Sequence, residues 1–355
     1  MYLTFVKKIT FIILLLIKTL EMNAQSPRFS FTSGAVTLDV LENQKTPTFK
    51  VYKGLLTSVD QVYGKKAMLG NLTQSATKVQ FIPILPFQKN SNYTVVYKKQ
   101  TYPFIIALDP SYDYVHIEAI YPNTTTLPSN FLKWYIRFSK PVNPSKIYEH
   151  IHLIDNRTNT KVDRALLPLE TPLVSDDGTL LTIWIEPGRQ KRDLGPNKRL
   201  GEVLIPGVSY TLVIDKDLKD HQGIPMNMAY THSFTVGTSD RVKPTISSWK
   251  FELPTLHTKE PLHINFQEFL DYGSLQNGLH IIDTSGNKLE GEFLINSNQK
   301  SIIFTPLSNW NKETYIIYCK PIIEDLSGNN LERLFDRDIT LKTTLPMLKR
   351  SFTIE

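Results

Sequence analysis

One motif occurs three times and constrains the fold more than any other feature: an apolar strand ending in proline, a polar turn, and a second strand carrying tyrosine. Val79-Gln-Phe-Ile-Pro83 leads through Gln88-Lys-Asn-Ser91 to Asn92-Tyr93-Thr-Val-Val-Tyr97. The pattern returns as Leu181-Thr-Ile-Trp-Ile-Glu-Pro187 before Pro206-Gly-Val-Ser-Tyr210-Thr-Leu-Val-Ile214. Its third copy is Ser301-Ile-Ile-Phe-Thr-Pro306 before Asn311-Lys-Glu-Thr-Tyr315-Ile-Ile-Tyr318. Tyr93, Tyr210 and Tyr315 recur at intervals of roughly 110 residues, the size of one sandwich domain. A buried tyrosine at each site is expected to direct its hydroxyl to a backbone carbonyl at the domain corner.

Two further elements repeat in the second and third copies only. Trp134-Tyr-Ile-Arg-Phe138-Ser-Lys-Pro141 leads to His150-Ile-His-Leu-Ile-Asp155, as Leu262-His-Ile-Asn-Phe266 leads to Leu279-His-Ile-Ile-Asp283. After the tyrosine strand come Asp217-Leu-Lys-Asp220-His-Gln-Gly223 and Glu324-Asp325-Leu-Ser-Gly328-Asn329. Elsewhere Val, Ile, Thr, Tyr and Phe gather in short runs punctuated by 22 Pro and 16 Gly, with no sustained helical periodicity. The predicted class is all-β: antiparallel sandwiches, each strand burying one face against a second sheet.

Phe138-Ser-Lys-Pro141, Asp177-Gly-Thr-Leu-Leu-Thr-Ile183-Trp184, Gly207 to Leu212, and the Asp220-x-x-Gly223 and Asp325-x-x-Gly328 turns resemble the SbsA-type bacterial Ig-like domain. The middle segment is also similar to exported bacterial Ig-like proteins through Leu127-Pro-Ser-Asn-Phe-Leu132 and Pro187-Gly-Arg-Gln-Lys-Arg192. The resemblance implies three tandem Ig-like β-sandwich domains at 26–109, 110–240 and 241–345, followed by a tail at 346–355. It implies a surface or periplasmic setting and carries over no catalytic residue. Residues 27–109 share only the proline–turn–tyrosine pattern.

Residues 1–25 read as a secretory signal peptide. Lys7 and Lys8 precede a short stretch, Ile9 to Ile17, apolar but for Thr10, and Asn23-Ala24-Gln25 closes the segment. No later stretch approaches the roughly 18 apolar residues of a spanning helix, so the mature chain is expected to lack a transmembrane segment. Loss of three lysines and one glutamate with the leader lowers the formal net charge from +6 to +4, too mild to point to nucleic acid. The single Cys319 excludes a disulfide framework or a cysteine-rich zinc site and is expected as a packed thiol on a strand. Asn-x-Thr triplets at Asn71, Asn92, Asn123 and Asn156 matter only in a eukaryotic pathway, to which the resemblance does not point.

The most unusual segment is Pro187 to Gly201, inserted where the other copies have short turns. It carries Arg189, Lys191, Arg192, Lys198 and Arg199 against Asp193. Cations on a loop suit carboxylate, phosphate or sulfate groups, so these five are the candidate binding residues for an anion or polysaccharide. A structural hairpin, its arginines bonded back to nearby carbonyls, is the competing reading. His150 and His152 are two apart on an expected strand and could share a metal, but no third ligand is evident. Asp215, Asp217 and Asp220 crowd a turn without EF-hand spacing, which favours Asx-turn chemistry over calcium. Trp134, Trp184, Trp249 and Trp310 are expected in cores. No nucleophile elbow, phosphate loop or dinucleotide fingerprint is present, so no catalytic residue and no cofactor is assigned.

The sequence thus points to a non-catalytic exported Ig-like binding or spacer protein of the bacterial periplasm or cell surface, with an envelope protein or polysaccharide as partner. One alternative is a carbohydrate-active enzyme or its accessory subunit, which would need a cleft with two acids. The other is an envelope assembly component pairing through edge strands.

Overall fold

The computed structural model describes residues 26–41, 47–192, 194–296, 299–336 and 348–355. The expected signal peptide, residues 1–25, lies outside the described residues, as does Asp193 of the basic segment. Two compact units divide between Tyr112 and Asp113. Among the described residues no helix is long and apolar enough to cross a membrane.

The first unit contains β1 (Phe29–Phe31), β2 (Val36–Asp39), β3 (Lys50–Lys53), β4 (Gly70–Gln74), β5 (Lys78–Pro83), β6 (Asn92–Tyr97) and β7 (Gln100–Ile105). They form two antiparallel sheets in the orders β1-β2-β5-β4 and β3-β6-β7. Alternation builds the core: Val36, Leu38, Val79 and Phe81 from one sheet meet Val51, Tyr93, Val95 and Phe104 from the other.

The second unit begins with β8 (Ile117–Tyr121), β9 (Thr126–Pro128), β10 (Lys133–Phe138), β11 (Ile151–Asp155), β12 (Thr160–Lys161), β13 (Leu173–Val174), β14 (Leu180–Trp184), β15 (Ser209–Ile214) and β16 (Tyr230–Gly237). It ends with β17 (Lys250–Glu252), β18 (Leu262–Asn265), β19 (Leu279–Ile282), β20 (Gly291–Ile295), β21 (Ser301–Pro306), β22 (Thr314–Cys319) and β23 (Lys349–Thr353). Sheets β13-β14-β10-β8 and β12-β11-β15-β16-β9 enclose one hydrophobic core, and β17-β18-β21-β20 and β19-β22-β23 enclose another. The same order thus appears three times, in the constant-type immunoglobulin arrangement of four strands against three, with β9 and β12 added in the middle set.

Each repeated tyrosine sits on the central strand of the sheet that faces the four-strand one, β6, β15 or β22, and is buried. The hydroxyl of Tyr93 accepts the Gln88 N–H at 2.8 Å, that of Tyr210 the Ile205 N–H at 3.3 Å, and that of Tyr315 the Asn311 N–H at 2.9 Å. The expected carbonyl partner is therefore corrected: the group to be satisfied is a backbone donor released where the chain leaves the proline-ended strand. Tyr315 also donates, to the Asn311 carbonyl at 3.4 Å.

Two other expectations change. Lys349–Thr353, placed in a tail, instead forms β23 against β22, with Phe352 and Ile354 buried in the last core. Trp134, Trp249 and Trp310 are buried, whereas Trp184 faces outward, because Leu181 and Ile183 take the inward positions of β14 and leave residue 184 on the opposite face. Cys319 is buried on β22, and burial pushes its thiol up to about 12.

Replacing Tyr210 or Tyr315 by Phe strands a backbone N–H at each corner and is expected to cost about 1–2 kcal/mol in urea unfolding. An unchanged midpoint would show that the hydroxyls are dispensable.

Candidate functional site

Residues 187–201 fold as two short helices, α1 (Pro187–Gln190) and α2 (Gly195–Leu200). Proline starts each, the Glu186 carboxylate accepts the Gly188 N–H at 3.0 Å, and Gly201 leaves α2 at φ +73°. Arg189, 5% exposed, turns inward. Its guanidinium donates to the carbonyls of Gly201 at 2.9 Å, Asp163 at 2.7 Å, Leu200 at 3.1 Å and Glu202 at 2.9 Å. A planar fork of donors in a cup of carbonyls cross-links the insertion to the 163–164 segment.

Two more of the five candidate cations contact the C-terminal part of the same unit. Arg192 Nε lies 2.8 Å from Asp336 Oδ2, which Arg241 Nη1 reaches at 2.7 Å, and Lys191 Nζ stands 4.3 Å from the Phe335 ring centroid. Burial alone would raise the Asp336 pKa; the two arginines overcome it and hold the carboxyl low. Lys198 and Arg199 are exposed at the end of α2, with Arg199 Nε 3.4 Å from the Gly195 carbonyl. The candidate residues therefore include one buried brace, two contacts across the unit and two cations at exposed positions on α2.

The strongest polar cluster lies between the two cores of this unit, on residues the sequence did not single out. Lys133 on β10 reaches both Glu324 and Asp271, the latter at 3.4 Å, and sits 4.7 Å from the Trp184 ring centroid. Desolvation would lower the Lys133 pKa, but the two carboxylates raise it; burial pushes that of Glu324 up. Tyr135 donates to Asp271 Oδ1 at 3.0 Å, and Tyr121 stacks on Tyr272 at 4.0 Å between ring centroids. Tyr272 opens α3 (Tyr272–Gln276), which Asp271 caps by accepting the Ser274 N–H at 2.8 Å. Any Cβ on Gly273 would strike the Tyr135 hydroxyl.

The connecting segment is pinned as well. Asn130 donates to the Asp240 carbonyl at 2.6 Å and accepts the Asp240 N–H at 2.8 Å; Ser327 donates to the same Asn130 Oδ1 at 2.9 Å. Beside it a cleft of about 440 Å³ is lined by Leu127, Asp240, Glu268, Phe269 and Leu326 among others. Burial, then Asp240, pushes Glu268 up to about 7.

The remaining candidates resolve individually. His150 ends a 3-10 turn rather than lying on a strand, so the expected one-face pair does not form; only His152 is on β11. Asp220 and Asp325 each accept two backbone N–H groups from residues two and four ahead, at 2.7–3.0 Å, the Asx-turn chemistry favoured by the sequence. Among the described residues no group of three acidic, His or Cys side chains is placed to hold a metal.

Residues 241–343, under a third of the chain, match the profile of a family described as a bacterial Ig-like domain. No curated protein matches the chain. Among solved structures it is similar to the N-terminal part of the bacterial S-layer protein SbsC, at 18% identity and TM-score 0.25, covering 59% of this chain and 40% of that one. It is also similar to native alpha-2-macroglobulin from Escherichia coli spanning domains MG0-NIE-MG1, at 13% identity and TM-score 0.23, covering 59% of this chain and 66% of that one. Titin domains A168–A170 align at 10% identity and TM-score 0.23, covering 84% and 93%. The chain spans less than half of the S-layer structure it matches.

Arg189→Lys, which cannot reproduce the fork, is expected to cost about 2–3 kcal/mol in urea unfolding, against under about 1 kcal/mol for the exposed Arg192→Ala. Lys133→Met is expected to cost about 3 kcal/mol at pH 8 and measurably less at pH 5. The folded Glu324 pKa lies above its unfolded value, so the folded state gains a proton as pH falls and loses stability as pH rises toward the raised value. A pH-independent loss would contradict the assignment.

Proposed function

We propose that the chain is a non-catalytic, exported three-domain Ig-like protein of the bacterial periplasm or cell surface, a spacer that presents loops to an envelope protein or polysaccharide. Repetition of one sandwich plan, the family match at 241–343 and the expected leader support this assignment. The observation that carries it is the buried Lys133–Asp271–Glu324 cluster, because a spacer needs a fixed angle between sandwiches and a desolvated ion cluster supplies one. The anion-contacting role is assigned to Lys198 and Arg199, which stand side by side at exposed positions on α2.

Pull-down of envelope polysaccharides and proteins with the wild-type chain and with Lys198→Ala/Arg199→Ala tests the contact. Capture reduced about tenfold by the double substitution, with unfolding unchanged, is the expected result; equal capture removes the basic segment from the binding surface. The alternative, a carbohydrate-active enzyme, draws on the cleft shared by Asp240 and Glu268. Release of reducing ends from such a polysaccharide, abolished by Glu268→Gln, would favour it.

A further inference from the structure

Charge is divided unevenly along the chain after the expected leader. Residues 26–112 hold ten basic and four acidic residues, whereas 113–355 hold 27 basic and 29 acidic. The imbalance sharpens between Asp60 and Asp109, where 48 residues carry six lysines and no Asp or Glu. That stretch supplies β4, β5, β6 and β7 of the first unit. Charge of one sign segregated onto one part of a chain points to an anionic partner for that part.

The same stretch leaves aliphatic side chains in water. On β5 the inward positions Val79, Phe81 and Pro83 are buried, which puts Ile82, and Ile84 just past the strand, on the outer face of the sheet. Ile84 donates to the Leu69 carbonyl at 3.0 Å, so Leu69 stands beside it as a cross-strand neighbour. Leu69 is 75% exposed, Ile84 68% and Ile82 43%. β4 is the outermost strand of this sheet, and its outward residues Asn71 and Thr73, with Gln80 opposite, are uncharged. Tyr63, 97% exposed, and the exposed Lys65 and Lys66 stand on the segment that leads into Leu69. Aliphatic and cationic groups therefore adjoin on one face, with no acid among them.

We propose that this face of the first unit docks on an anionic lipid bilayer, with Leu69, Ile82 and Ile84 at the acyl boundary and Lys65 and Lys66 on the lipid phosphates. Charge complementarity selects an anionic surface. The aliphatic groups select lipid, because a soluble polyanion would neutralise the lysines but give three branched side chains nothing apolar to enter. Lysine suits the position: its apolar stem lies along the aliphatic surface while the ammonium reaches the headgroups. Tyr63 adds an apolar ring with a polar tip, the type of side chain that sits at headgroup level. Docking at that depth keeps the outer edge of β4 hydrated, as an open sheet edge requires. This contact goes beyond the spacer function and uses neither Lys198 nor Arg199, so failure of either assignment leaves the other standing.

The test sediments the chain from residue 26 onward with vesicles of phosphatidylglycerol and phosphatidylcholine in equal parts, and with phosphatidylcholine vesicles, at about 0.1 M salt. Saturable binding to the anionic vesicles is expected, with affinity for the neutral ones at least about tenfold lower. Lys65→Gln/Lys66→Gln and Leu69→Ser/Ile84→Ser are each expected to weaken binding at least about tenfold. Their melting temperatures should match the wild type, since all four side chains are exposed, and Lys198→Ala/Arg199→Ala should bind vesicles normally. No sedimentation with anionic vesicles, equal binding to neutral ones, or binding that survives Lys65→Gln/Lys66→Gln would overturn the proposal. Binding that survives Leu69→Ser/Ile84→Ser would make the face a general polyanion site, suited to a polysaccharide, and overturn it equally.

Discussion

A lysine taken out of water between two carboxylates fixes the geometry of the larger unit. Lys133 is 11% exposed and Asp271 only 3%, so their attraction acts with little solvent screening, and no partner can leave without stranding a charge. An arrangement that separated these partners would leave at least one charge buried and unpaired. Tyr135 reads the same Asp271, and the Tyr121–Tyr272 stack closes the flank. The Asn130–Asp240–Ser327 bonds then tie the connecting segment to both sides. Both backbone groups of Asp240, in the segment that would otherwise be a hinge, are thereby engaged.

The basic insertion extends the same arrangement. Five cations in fifteen residues resemble a docking patch, yet the most buried of them bonds only to carbonyls of its own chain. The fork of Arg189 closes the mouth of a loop that would otherwise leave several acceptors unpaired, and Arg192 shares Asp336 with Arg241. Guanidinium groups serve backbone oxygens as readily as anions, so charge density in a sequence does not by itself mark a recognition surface.

Local features were legible in the chain. Proline-ended strands, alternating apolar residues and three tyrosines located the central strands and the sandwich plan, since each is decided by neighbours within a few residues. The parity that puts Leu181 and Ile183 inward also predicts that Trp184 faces out; hydrophobicity alone misplaced it. What could not be read was long-range pairing: Lys133 meets a partner 191 residues away and Tyr135 one 136 residues away, and no spacing encodes that. The last strand was missed because Lys349-Arg-Ser-Phe-Thr offers a single large inward residue, Phe352, to mark it. The direction of the tyrosine bonds was missed for a related reason: a hydroxyl both donates and accepts, and only the geometry of the turn decides.

The central claim is that the two sandwich cores after Asp113 are held at one angle by the buried lysine. Spin labels at exposed Lys161 and Lys288, on opposite sides of the junction, would measure it through the distribution of distances between them. A single narrow distribution in the wild-type chain that broadens in Lys133→Met is the predicted result; a broad distribution in both, or a narrow one that Lys133→Met leaves intact, would contradict it.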